Sequence, residues 1–177
     1  SIPDTATFII RPLPVVTKGS NSPVCVNNAL NLNSGGGVSY SWTGPDAFTS
    51  SSQNPSIGSV TTADAGMYHI TVTSVFGCSD SDSVSVIVNA LPVATAGNSS
   101  PVCELLTLNL TSGGGTSYSW TGPGGFTSVL QNPNISSVTT AASGTYMVTV
   151  TDVNNCSDTE TTVVSIDPAP AATAGSN

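Results

Sequence analysis

Apolar residues alternate with small polar ones along several short stretches of the chain, so the hydrophobic period is two, as in half-buried β-strands. Glycine, proline and asparagine cluster between these stretches, for example at residues 34–37, 43–45 and 53–55, and predict turns there. No window shows a helical stripe. About seven short strands in about 78 residues are typical of a β-sandwich, so we expect an all-β fold. The alternating positions include Leu30 and Leu32, Tyr40 and Trp42, Tyr68-Ile70-Val72, and Val84-Val86-Val88.

The chain contains two copies of one unit, related by a shift of 78 residues without a gap. Roughly 44 of 77 aligned positions are identical, including Ser39 to Pro45, which match Ser117 to Pro123. The same shift aligns residues 4–10 with 82–88 and residues 169–177 with 91–99. We therefore expect an orphan last strand of a preceding repeat at 1–11, repeats at 12–89 and 90–168, and a lead-in to a following repeat at 169–177. A degenerate capping strand at either end is the alternative.

The composition removes several classes of function. Ten acidic residues face only two basic ones, for a net charge of -8, which argues against nucleic-acid binding. Only 7% of residues are charged, so hydroxyls and amides must solvate the surface, as on an extracellular protein. No apolar run approaches a membrane span, so we expect no membrane insertion. With one histidine, no catalytic triad can form, and we expect neither an enzyme nor a cofactor.

Two features are specific to immunoglobulin-type sandwiches. Asp64 to Tyr68 has the form D-x-G-x-Y, in which the tyrosine hydroxyl bonds back to the corner before its strand. Trp42 follows Leu32 by ten residues, which suits a buried tryptophan packed against the preceding strand. The second copy keeps the equivalents Trp120 and Tyr146 but has alanine in place of Asp64. We expect all four aromatic residues to form the core and corner of tandem immunoglobulin-like sandwiches in an end-to-end array.

The chain resembles the Ig-like or PKD-like tandem repeats of long secreted surface proteins of Bacteroidota, among them adhesins, gliding-type proteins and filaments. The resemblance is carried by Pro-Val-Cys near Cys25, Ser-Tyr-Ser-Trp-Thr-Gly-Pro near Trp42, Gly-x-Tyr at Tyr68 and Gly-Cys-Ser at Cys78, and it covers almost the whole chain. It implies secretion and a non-catalytic role at the cell surface. Such repeats serve as spacers, stalks and adhesive surfaces alike.

Three candidate sites compete with structural explanations. His69 lies in an alternating strand and corresponds to Met147, which argues against catalysis or metal binding. The oxygen-bearing residues around Cys156 suggest calcium, but the first repeat offers only Asp80 and Asp82, so a solvated acidic hairpin is favoured. Phe48 and Phe126 follow a turn and could form a sugar-stacking strip with the tryptophans, for which the core is favoured. The oxygen-bearing residues near Cys156 are Asp152, Asn154, Asp158 and Glu160.

Four cysteines, two per repeat at equivalent positions, indicate disulfides in a secreted chain. Stoichiometry favours Cys25 with Cys78 and Cys103 with Cys156, so that each repeat closes itself. Topology favours a bridge between repeats, from Cys25 to Cys156, because the two cysteines of one repeat should lie at opposite ends of the sandwich. Both pairings, and free thiols as a third outcome, stay open at this point.

The function that the sequence favours is an extracellular structural and adhesive module forming a stiff stalk or filament. Its partners would be further repeats or neighbouring copies, surface glycans or other cells. One alternative is a glycan-binding accessory module. Another is a filament subunit that donates the apolar edge at Phe8, Ile9 and Ile10 to a neighbouring sandwich.

Overall fold

The computed structural model describes residues 9–170 and divides into two compact units, with the boundary between Ala90 and Leu91. Within the described residues, regular structure consists of strands and three single turns of 3₁₀ helix. The expected all-β class is confirmed. No helix in this range is long and apolar enough to cross a membrane.

The described part of the first unit, residues 9–90, has nine strands, which fall into two sheets and a short pair. One sheet has the order β1-β3-β6, and the other has the order β5-β4-β7-β8. The pair joins β2 to β9 in parallel, with Val24 opposite Val88. The bounds are β1 Thr17–Ser20, β2 Val24–Cys25, β3 Leu30–Gly35, β4 Ser39–Thr43, β5 Thr49–Ser50, β6 Ser56–Ile57, β7 Gly66–Thr73, β8 Ser79–Val86 and β9 Val88–Asn89, with a 3₁₀ turn at Thr62–Asp64.

The second unit repeats this plan strand for strand. Its sheets have the orders β10-β12-β15 and β14-β13-β16-β17, and β11 pairs in parallel with β18. The bounds are β10 Thr95–Asn98, β11 Val102–Cys103, β12 Leu108–Gly113, β13 Ser117–Gly122, β14 Phe126–Ser128, β15 Asn134–Ile135, β16 Gly144–Thr151, β17 Ser157–Val164 and β18 Ile166–Asp167, with 3₁₀ turns at Pro123–Gly125 and Thr140–Ala142.

Each core lies between the two sheets of its unit and is built by the alternation seen in the sequence. Along β7, Tyr68, Ile70 and Val72 are fully buried, while the residues between them are exposed or half-buried. Leu30 and Leu32 of β3 face them from the other sheet, since they belong to the same buried cluster. Successive side chains of a strand point to opposite faces, so one face of each strand supplies the core.

This arrangement is an immunoglobulin-like β-sandwich. The first strand, β1, pairs antiparallel with β3 in one sheet, and the short strand β2 pairs in parallel with β9, the last strand of the unit. The strand that bears Trp42 lies at the centre of the second sheet, and its indole is fully buried. Trp120 occupies the same place in the second unit.

Residues 9–10 and 169–170, at the two ends of the described range, lie in no strand. Ile9 and Ile10 are in no strand and are strongly exposed, whereas Phe8 lies outside the described residues. The orphan strand is therefore not formed at Ile9 and Ile10, and donation of this edge stays a prediction. At the other end Ala169 and Pro170 are exposed and irregular, and the rest of the predicted lead-in lies outside the described residues.

Candidate functional site

The tyrosine corner fixes the start of the strand that carries the tyrosine, which is β7 in the first unit and β16 in the second. The Tyr68 hydroxyl donates a hydrogen bond to the carbonyl oxygen of Asp64 at 2.9 Å, and Tyr146 donates to the carbonyl of Ala142 at 3.0 Å. Burial raises the pKa of both phenols, and for Tyr68 the nearby carboxylates of Asp64 and Asp46 raise the pKa further. Because the acceptor is a backbone carbonyl, the corner needs no carboxylate.

Phe48 and Phe126 support this corner rather than forming a surface strip. The ring of Phe48 meets Tyr68 edge to face, with centroids 5.4 Å apart and an interplanar angle of 66°. Phe126 meets Tyr146 in the same way at 5.5 Å. Both phenylalanines are half-buried against their cores. The exposed aromatic strip that the glycan-binding alternative requires is therefore not formed by these residues.

The early cysteines, Cys25 and Cys103, lie on the two short parallel strands. Cys25 on β2 stands opposite Asn89, and Cys103 on β11 stands opposite Asp167. These partners are the last residues of β9 and β18, so the early cysteine marks the end where the chain leaves its sandwich. We call this the exit end of the unit.

The late cysteines, Cys78 and Cys156, lie in the turn between the last two long strands. The Ser74 amide donates to the carbonyl of Cys78 at 2.8 Å, which closes the hairpin before β8 begins. In the second unit the Asp152 carboxylate accepts from the amide of Cys156 at 2.9 Å, so this carboxylate stabilises the turn. We call this the hairpin end of the unit.

A disulfide cannot join the two ends of one unit. Cys78 precedes Asn89, the neighbour of Cys25, by eleven residues of nearly continuous strand. At about 3.3 Å per residue these positions are on the order of 30 Å apart, whereas a disulfide needs Cα atoms within about 7 Å. Cys78 and Cys103 are free thiols, while Cys25 and Cys156 are disulfide-bonded. The pairing of each repeat with itself, which stoichiometry favours, is therefore wrong.

The acidic residues considered as calcium ligands have structural partners or face solvent. The Asp82 carboxylate pairs with the Lys18 ammonium at 2.5 Å, and this hydrogen bond is the main reason why the pKa of Asp82 lies below its usual range. The carboxylates of Asp158 and Glu160 accept from the amides of the residues that follow them. Within residues 9–170 no three metal-binding side chains cluster. His69 is exposed on β7.

Glu104 has a structural role that the sequence reasoning missed. Its carboxylate accepts from the amide of Thr140 at 3.0 Å and from that of Ala169 at 3.3 Å, and these bonds lower its pKa. In the first unit Asp64 caps the equivalent turn from within, accepting from the Thr61 amide at 2.8 Å. The sequence does hold a signal for this role: the second unit has alanine at residue 142, the position of Asp64, and carries a carboxylate at residue 104 instead.

Gln53 and Gln131 were also missed, because Gln-Asn-Pro was interpreted as a turn alone. The Gln53 amide donates to the carbonyl of Ser34 at 2.8 Å, and the Gln131 amide donates to that of Ser112 at 2.9 Å. The backbone carbonyls of the same glutamines accept hydrogen bonds from the indole N–H groups of the buried Trp42 and Trp120, at 3.4 and 3.3 Å. The glutamine thus links the tryptophan of one sheet to a strand of the other.

Residues 89–166 match the family model described as a PKD-like domain. The three N-terminal domains of the bacteriophage RB49 Highly Immunogenic Outer Capsid protein (Hoc) are similar at 16% identity and a TM-score of 0.46, over 87% of this chain and 59% of that chain. Murine CEACAM1b is similar at 13% identity and 0.42, over 86% and 100%. The amphioxus IgVJ-C2 molecule follows at 16% and 0.37, over 79% and 97%. No curated protein matches the sequence.

Proposed function

We propose that this chain is part of an extracellular structural and adhesive array, a non-catalytic stalk or filament built from PKD-like, immunoglobulin-like repeats. The observation that carries the proposal is that both units complete the same sandwich with the same side chains. In each unit a tryptophan, the corner tyrosine and two leucines fill the core. A unit that closes its own core can be strung together in any number.

The polar side chains of the repeat support a structural role. The corner tyrosines, the glutamines and the capping carboxylates all bond to backbone groups of their own unit. A binding or catalytic site instead leaves polar groups directed into a concave pocket. One recess of the first unit, lined by residues such as Ser41, Thr43 and Thr49, is an open surface groove rather than an enclosed pocket.

The location outside the cell is supported by the disulfide and by the surface. Disulfides persist in oxidising compartments, and Cys25 and Cys156 are disulfide-bonded. The exposed faces of β7 and β8 carry threonine and serine hydroxyls that bond across the strands, such as Thr71 with Ser81 at 3.0 Å. A surface of this kind is well solvated although only 7% of the residues are charged.

Small-angle scattering of the purified chain tests the stalk. Proline residues at the junction, among them Pro92, stiffen a short connection, so we expect the pair-distance distribution of an elongated particle. A distribution typical of a compact globule would overturn the proposal. Titration with a panel of polysaccharides serves as the parallel measurement. Saturable binding would favour the glycan-binding alternative, which lacks the aromatic strip it requires from Phe48 and Phe126.

A further inference from the structure

Each unit has one free thiol, at the hairpin end in the first unit and at the exit end in the second. Cys78 is half-buried at the hairpin end of the first unit, and Cys103 is exposed at the exit end of the second. Each has an equivalent 78 residues away, and those equivalents, Cys156 and Cys25, are disulfide-bonded. One early and one late cysteine are therefore disulfide-bonded, and one of each kind is free.

The backbone holds both thiols in fixed positions. Cys103 is the last residue of β11, and the amide of the next residue, Glu104, donates a hydrogen bond to the carbonyl of Asp167 at 2.9 Å. Cys78 belongs to the hairpin turn closed by Ser74, in which Gly77 supplies a left-handed residue at a φ of 81°. Neither thiol can reach the other cysteine of its own unit, because the length of the sandwich separates the two ends. A disulfide of either thiol therefore requires a partner from another repeat.

We propose that Cys103 of one copy forms a disulfide with Cys78 of the next copy, so that repeats are joined covalently by early-to-late pairs. The chain's own bonded cysteines are one early and one late residue, which favours this combination over pairs of like residues. Pairs of like cysteines would alternate two different contacts between copies, whereas an early-to-late pair repeats one and the same contact along the array. The proposal rests on the repeat array proposed above and gives it a covalent link.

The oxidation requires an acceptor for two electrons, which a disulfide supplies. The thiolate of Cys103 attacks oxidised glutathione, forms a mixed disulfide and releases one glutathione thiol. The thiolate of Cys78 from the second copy then attacks the protein sulfur and releases the second glutathione. Two protein thiols are thus oxidised to one disulfide, and one oxidised glutathione is reduced to two thiols.

Two single variants, Cys78→Ser and Cys103→Ser, distinguish a specific pair from random oxidation. Each retains one free thiol, and one of them is labelled with ¹⁵N so that dimers can be assigned by mass. The two variants are mixed in equal amounts in a glutathione redox buffer and analysed by non-reducing electrophoresis and peptide mapping. Random collision would give mixed dimers as half of the product. We expect mixed dimers well above that share, linked by a Cys78–Cys103 peptide.

A matched control measures random oxidation of an exposed thiol. It places a cysteine at the exposed Ser52 in the Cys78→Ser, Cys103→Ser double variant, and we expect it to form dimers more slowly than the mixture. The unmodified chain should form a ladder of oligomers, because it carries one thiol of each kind. Two results would overturn the proposal: dimers of like cysteines that together equal the mixed dimers in amount, or dimer formation no faster than in the Ser52 control. Neither result bears on the scattering experiment, so the stalk is tested separately.

Discussion

Replacing Gly44 by alanine is expected to destabilise the first unit, because the tyrosine corner leaves no room for a methyl group. A Cβ at this position would lie 2.5 Å from Cδ1 and 2.6 Å from Cε1 of the Tyr68 ring. The ring cannot move away freely, since it is fully buried, its hydroxyl is bonded to the Asp64 carbonyl and it packs against the ring of Phe48. The added methyl therefore displaces a ring that is held at both ends.

The magnitude follows from two opposing contributions. Overpacking of a well-packed core costs about 1–3 kcal/mol. The loss of backbone freedom in the unfolded chain returns about 0.4–1 kcal/mol when glycine becomes alanine. We expect a net loss of about 1.5 kcal/mol in the free energy of unfolding of this unit, which speeds hydrogen exchange through its unfolding roughly tenfold.

Hydrogen exchange followed by mass spectrometry measures this within one molecule. The amides of the central strand β7 report on the first unit, and those of β16 serve as the internal reference in the second. Gly58→Ala is the matched control, because a Cβ there meets no atom within 4 Å and its φ lies outside the left-handed region. If Gly44→Ala accelerated exchange in β7 no more than Gly58→Ala, the steric account of the corner would be refuted.

Two further changes are predicted, one in each unit. Ala47→Gly should stabilise the first unit by about 0.5–1 kcal/mol, because Ala47 has a φ of 56° in a turn where the second unit has glycine, and thermal unfolding should show a higher Tm. A lower Tm would contradict this. Glu104→Gln should remove a pH-dependent part of the stability of the second unit. Hydrogen bonds from the Thr140 and Ala169 amides lower the pKa of Glu104 below its ordinary value of 4.5, so this stability is present above pH 4.5 and disappears as the pH falls through the lowered pKa. Urea unfolding at neutral and acidic pH should show wild type and variant converging in acid, and a constant difference would contradict the assignment.

The strands and the core were predictable because both depend on local alternation. Tyr68, Ile70 and Val72 alternate with polar residues, and a strand that buries one face can place them only in the core. Trp42 follows the same logic, since it alternates with polar residues along β4 and is fully buried. The prediction of an immunoglobulin-like fold is confirmed for this reason.

Bonds between distant segments were not predictable from the same pattern. Gln53 reaches Ser34 across 19 residues, and Glu104 reaches Thr140 across 36. Such pairs depend on where the sheets place loops relative to one another, which hydrophobic periodicity does not encode. The pattern at 53–55 correctly predicted a break between strands, because Pro55 directly precedes β6 and its carbonyl accepts a hydrogen bond from the amide of Leu32. It did not predict the hydrogen bonds of the glutamine.

Comparison of the two units separates residues needed by the sandwich from residues that are not. Lys18 pairs with Asp82 in the first unit, whereas the second has alanine at the position of the lysine, so the surface ion pair is replaceable. Gly44 and Tyr68 are the same in both units because the corner requires them. The cysteines are also the same in both, yet Cys78 and Cys103 bond to nothing within their own units, and both units form the same corner and core whether a given cysteine is bonded or free. Because these two thiols form no bond within their own sandwiches, other repeats are the place to look for their partners.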